Sequence, residues 1–170
     1  GIDSLSKFNG MFAFAIYDTH KHELFLARDR VGEKPLYYTY LNNRLYFTSE
    51  IKALLSLPSL KKAINEQALF DYLVFNRTDI HDETFLMNIK RLPKGHLAIF
   101  NRSGHHIKQW WNPEDFMGMN QNFHLEKALE KLDQILVSSI EYRMRSDVTV
   151  GSCLSGGLDS SSIACVAARR

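Results

Sequence analysis

The stretch VGSCLSGGLDSSSIA, Val150 to Ala164, gathers small, hydroxyl-bearing and acidic residues between an apolar run and a helical pattern. A strand that feeds a tight loop and then a helix N-terminus points several free backbone N–H groups at one spot. The helix dipole makes that spot favourable for anions. Gly156 and Gly157 allow positive φ and a close approach of the backbone to a ligand. Ser155, Ser160 and Ser161 add hydroxyl donors. Together they describe a cradle for phosphate oxygens. The cradle is not a Walker loop, which needs Lys followed by Ser or Thr; Leu158 and Asp159 stand at the matching place. The dinucleotide pattern G-x-G-x-x-G is absent as well. Two roles fit Asp159: a carboxylate that meets a phosphate-bound Mg²⁺, or an acid that complements the helix N-terminus. Leu154 reads as the last core position of its strand.

Other residues offer weaker chemistry. Cys153 and Cys165 make neither a disulfide framework nor a metal spacing, and read as small buried hydrophobes. His20 and His22 lack a Cys or carboxylate cluster; His105 and His106 fall in a solvated turn. Arg28 and Asp29, in ARDRVG, suit a buried ion pair at a strand end or a wall of a reaction site. Ser49 and Glu50 suit a helix start or a small-molecule path. Trp110 and Trp111 suit an anchor between domains.

The elements that must position these residues follow from pattern. MFAFAIYD (Met11–Asp18) predicts a strand buried on both faces. ELFLARD (Glu23–Asp29), Leu36–Tyr40 and RLYFTS (Arg44–Ser49) predict three more, joined into an antiparallel meander. Ser49 and Glu50 open a short helix that Pro58 closes. Asn65 caps a second, with Ala68, Leu69, Tyr72 and Leu73 on one side. RLPKGHLAIF turns into a strand, His96–Phe100, and SGHH turns into IKQWW. Residues 112–122 read as a linker. Beyond it, Leu125, Leu129, Leu132, Leu136 and Ile140 step along a long amphipathic helix. A β-branched strand, Asp147–Leu154, then leads into the Ser-Gly-Gly loop and a last helix. Helix, strand, Gly-loop and helix open an α/β domain.

The whole sequence has 170 residues, 45% hydrophobic and 24% charged, with a formal net charge of +2. No basic excess calls for nucleic acid, and no apolar run approaches the ~18 residues of a membrane span. The first residues lack a signal-peptide pattern, and a reducing cytoplasm is expected. The chain begins with Gly1 within plausible structure, so a segment of a longer polypeptide is expected.

With these residues in view, SGGLDSS resembles the pyrophosphate-binding loop of the ATP-pyrophosphatase superfamily. NGMFAFAIYD, ARDRVGEKPLYY, FTSEIKALL, IKRLPKGH and SDVTVGSCLSGGLDSS stand in the order of glutamine-hydrolysing asparagine synthetases, and the resemblance covers nearly the whole chain. It implies two pieces. Residues 1–111 are expected to be the C-terminal part of an N-terminal-nucleophile glutaminase of antiparallel sheets, an α+β fold. Residues 123–170 are expected to begin an α/β synthetase domain. The resemblance further implies that Leu154, Ser155, Gly156, Gly157, Asp159 and Ser160 bind ATP, with Asp159 on Mg²⁺. Substrates would be glutamine, aspartate and ATP, without nucleic acid or membrane, in an enzyme that forms a homodimer. The family's nucleophile, a cysteine at the mature N-terminus, is not among these residues. Nor is its Asn-Gly-Glu element, so no catalytic residue is expected here and the segment alone should be inactive. An alternative is a related ATP-dependent amide-forming enzyme without glutaminase activity, similar to β-lactam synthetase.

Overall fold

The computed structural model describes residues 1–78, 82–118 and 124–169. They form two units, divided between Phe116 and Met117. That division falls within the stretch 112–122, of which 119–122 lie outside the described residues.

The first unit opens with a 3-10 turn, Ile2–Lys7. β1 (Ala13–Asp18) and β2 (Glu23–Arg28) pair as a hairpin, with Ala13 opposite Arg28 and Asp18 opposite Glu23. Asp18 Oδ1 closes the turn by accepting the N–H groups of His20 and Lys21 at 2.9 and 3.0 Å. β3 (Tyr37–Leu41) and β4 (Arg44–Thr48) form a second hairpin. Asn42 and Asn43, at φ 51° and 59°, supply the left-handed pair that a tight two-residue turn needs. β5 (Lys90–Arg91), β6 (His96–Asn101) and β7 (Gly104–Gln109) complete the strands.

The four early strands do not make one meander. They are divided between two sheets, β1-β2-β6-β7 and β4-β3-β5. The chain leaves the first sheet after β2, and β6 takes the place beside it, setting Leu26 and Ala27 against Ala98 and Leu97. All four are fully buried. Alternation along β2 sends side chains to opposite faces. Leu26 joins Leu36, Leu92 and Ala98, with Leu45 of the second sheet packed against them. Ala27 and Leu97 join Leu5 of the 3-10 turn, among Phe12, Phe14, Phe25, Ile99 and Trp110. The far face of the second sheet, through Tyr37, Leu41 and Tyr46, packs with Leu54, Leu60 and Ile89 under α1 (Ile51–Leu55). The layers of this unit are therefore 3-10 turn, sheet, sheet and helix.

β1 departs from its expected burial. It is an edge strand with Ala15, Ile16 and Tyr17 exposed, because β2 is its one partner among the described residues. α1 starts after Glu50 without a side-chain cap, so Ser49 does not cap it; the helix stops at Ser56, ahead of Pro58. α2 (Glu66–Phe75) begins as expected, with Asn65 Oδ1 accepting the Ala68 N–H at 3.3 Å. Ala68 and Leu69 are half-buried, whereas Tyr72 and Leu73 are exposed.

The second unit contains α3 (Leu125–Arg143) and α4 (Leu158–Ala167). Ile140 is buried, but Leu125, Leu129 and Leu132 are exposed. The strand expected at Asp147–Leu154 does not form. A parallel strand needs a neighbour to receive its N–H and C=O groups, and none lies beside it among the described residues. Among those residues no helix is long and apolar enough to cross a membrane.

Candidate functional site

Gly156 sits at φ +84°, a conformation closed to most side chains. A Cβ there would meet nothing within 4 Å, so glycine is demanded by the backbone and not by crowding. Gly157 is the N-cap of α4 at φ −81°, ψ 163°, which any residue adopts, and no side chain caps the helix. The first helical bond runs from Ser161 N–H to Gly157 C=O at 3.1 Å. The N–H groups of Leu158, Asp159 and Ser160 therefore precede the intrahelical ladder. Ser160 Oγ donates to Gly157 C=O at 3.1 Å and lies 2.9 Å from Ser155 Oγ. With its one proton used on the carbonyl, Ser160 accepts from Ser155. This hydroxyl chain ties the two sides of the loop.

Ser155, Gly156, Gly157, Asp159 and Ser160 thus share one turn, and Asp159 stands in the first turn of α4, where a negative charge is favoured. Leu154 adjoins it but is exposed, not the core position expected of it. Cys153 and Cys165 are exposed too, contrary to their reading as buried hydrophobes. With no strand formed at 147–154, no sheet covers them. Among the described residues no group of three or more His, Cys, Asp or Glu side chains is arranged to hold a metal.

The denser polar construction lies in the first unit. Arg28 and Asp29 are buried, at 8% and 1% exposure, and both side chains engage backbone groups of the loop Gly32–Lys34. Asp29 Oδ1 accepts the N–H groups of Gly32 and Glu33 at 2.7 and 2.9 Å. Oδ2 accepts those of Lys34 and Phe12 at 2.9 and 3.3 Å. Burial pushes this carboxyl up, but the four backbone donors outweigh it and hold it below the ordinary range. Arg28 donates to the carbonyls of Lys34, Leu92 and Gly32 at 2.8, 2.8 and 2.6 Å. Trp110 completes the knot: its Nε1–H reaches Arg28 C=O at 3.1 Å and its ring stacks on Phe12. It packs within the first unit. Composition gave no sign of this role; the run Arg-Asp-Arg-Val-Gly at a strand end was the available signal.

Residues 1–111 match the glutamine amidotransferase domain family, and residues 131–170 match the asparagine synthase family. The chain is 38% identical to glutamine-hydrolysing asparagine synthetase 2 of Bacillus subtilis, over 100% of this chain and 24% of that protein. It is 34% identical to a putative glutamine-hydrolysing asparagine synthetase 2 of Methanocaldococcus jannaschii, over 96% and 32%. The third, asparagine synthetase 3 of B. subtilis, is 32% identical over 98% and 26%. The chain thus spans about a quarter to a third of the length of these relatives. Among solved structures, the glutamine phosphoribosylpyrophosphate amidotransferase of B. subtilis covers 99% of this chain and 33% of its own, at 17% identity and a TM-score of 0.42. The antiparallel sheets and the match over residues 1–111 agree: this chain belongs to the glutamine amidotransferase domain family, followed in sequence by the start of an asparagine synthase domain.

Proposed function

We propose that the chain is a segment of a glutamine-dependent asparagine synthetase, and that residues 154–160 hold the pyrophosphate portion of ATP. The observation that carries this reading is the turn itself. Gly156, at positive φ, leads into three N–H groups that precede the ladder of α4, with hydroxyls tied across the opening. It follows an amidotransferase domain in the same chain.

In this reading glutamine and water give glutamate and ammonia in the first domain. Aspartate and ATP give β-aspartyl-AMP and pyrophosphate in the second. Ammonia then displaces AMP to give asparagine. Carboxylate is a poor acyl donor, and adenylation supplies the leaving group. Backbone N–H groups aimed at the departing pyrophosphate stabilise charge where it develops. The donor set here, one carboxylate beside hydroxyls and amides, fits a Mg²⁺ that arrives with the nucleotide and takes most of its ligands from phosphate and water. Asp159 would meet it, and the ion would supply further charge neutralisation. Both cysteines lie in the second unit, so the 170-residue chain alone is expected to release no ammonia from glutamine.

The test uses the full-length gene product with amide-¹⁵N glutamine, aspartate and Mg·ATP. Labelled asparagine, glutamate, AMP and pyrophosphate should appear in equal amounts. Formation of ADP and phosphate in their place rejects the reading.

A further inference from the structure

The hydrogen bonds around Asp29 extend to the point where the chain leaves the first unit. Gly95 N–H donates to Asp29 C=O at 2.8 Å. Gly95 C=O in turn accepts the N–H groups of Trp110 and Trp111 at 2.8 and 3.2 Å. Gly95 is at φ +65°, and a Cβ there would lie 2.6 Å from the Trp111 carbonyl oxygen, a contact no real side chain makes. Arg30 adds a second clamp. Its guanidinium lies 5.3 Å from the centre of the Trp110 ring while donating to the carbonyls of Phe8 and Ser6. Past Trp111, the 3-10 turn Pro113–Phe116 brings Phe116 against the Trp111 ring, 6.4 Å between centroids. The chain is therefore held well past the end of β7. Such a span costs far more to fix than a strand end alone requires.

We infer that the Arg28–Asp29–Gly95 knot is a positioning element: it fixes where and in what direction the chain leaves the amidotransferase unit. Through that it sets the fraction of glutamine-derived ammonia captured as asparagine. The inference rests on the function proposed above. Two linked active units act together according to the chain between their anchored points. Freeing the stretch from Trp110 to Phe116 moves the last held point of the chain back from Phe116 to Gln109. A freed span lowers the probability of a given end placement, by about threefold for each doubling of its length. Gly95 and Trp110 hydrogen-bond to the Asp29 and Arg28 carbonyls and to each other, and the effect assigned to them is one of placement.

The experiment compares the full-length enzyme with Gly95→Ala and with the milder Trp110→Phe, which keeps the stacking and removes the bond to Arg28 C=O. Three rates are read: glutamate release, asparagine synthesis from glutamine and asparagine synthesis from ammonium. Gly95→Ala should lower asparagine formed per glutamate released about threefold, while ammonium-dependent synthesis stays within twofold of the parent. Trp110→Phe should give a smaller change in the same direction. Chymotryptic cleavage at Trp111 and Phe116 should quicken in both. An unchanged product ratio, or ammonium-dependent synthesis falling in step with it, overturns the inference. If Gly95→Ala does not fold, the Trp110→Phe ratio decides by the same criterion. Failure of the function reading is separate, since the parent enzyme itself would then make no asparagine from either nitrogen source; the cleavage rates would still report whether the knot anchors the chain.

Discussion

Asp29 shows how much one carboxylate can organise when backbone donors surround it. Its four N–H partners come from β1's approach and from the loop between the sheets, so the charge joins segments distant in sequence. Asp29→Asn turns part of that acceptor into a donor facing N–H groups. A loss of about 2–3 kcal/mol in unfolding free energy is expected, measured by urea denaturation at neutral pH. The pH dependence has a fixed sign. The folded carboxyl titrates below its ordinary value, so its stabilisation is complete above the unfolded value, about 3.9, and is lost as pH falls through the folded one. The stability gap between parent and Asp29→Asn should therefore shrink on acidification. At the other end of the chain, Gly156→Val in the full-length enzyme forces a β-branched residue into positive φ. Pyrophosphate release with Mg·ATP should drop about tenfold or more, as the loss of aligned donors dictates, with glutamine hydrolysis retained.

Elements separate what local chemistry decides from what partners decide. Asn65→Ala should cost α2 about 1 kcal/mol, read as a lowered denaturation midpoint, since it removes the bond to the Ala68 N–H. That cap was legible in the sequence, as were the Asn42–Asn43 turn, both hairpins and the Gly156 loop, because each depends on residues within a few positions. The partition into two sheets was not legible. It depends on β6 inserting beside β2 across about seventy residues, a pairing that no short-range rule encodes. The strand at Asp147–Leu154 failed for the complementary reason. Its β-branched residues, Val148, Thr149 and Val150, favour extension, but a lone strand has no ladder to join. For the candidate site the residue types were readable, and so was their clustering in one turn. The exposure of Leu154, Cys153 and Cys165 was not, because burial depends on what packs over a segment. The burial of Arg28 and Asp29 at a strand end was legible in their sequence position, but the loop amides and carbonyls that each side chain binds were not.

At the scale of the whole molecule, β1 lies at the rim of its sheet with one side of its backbone unmatched among the described residues, and with Ile16 and Tyr17 each 57% exposed. Such a rim is a template on which another extended chain can grow. Concentrated stocks of the 170-residue polypeptide should cloud on storage and brighten thioflavin T, copy adding to copy. A lysine in place of Ile16 should keep those stocks clear, because like charges brought rim to rim repel before the first rungs close.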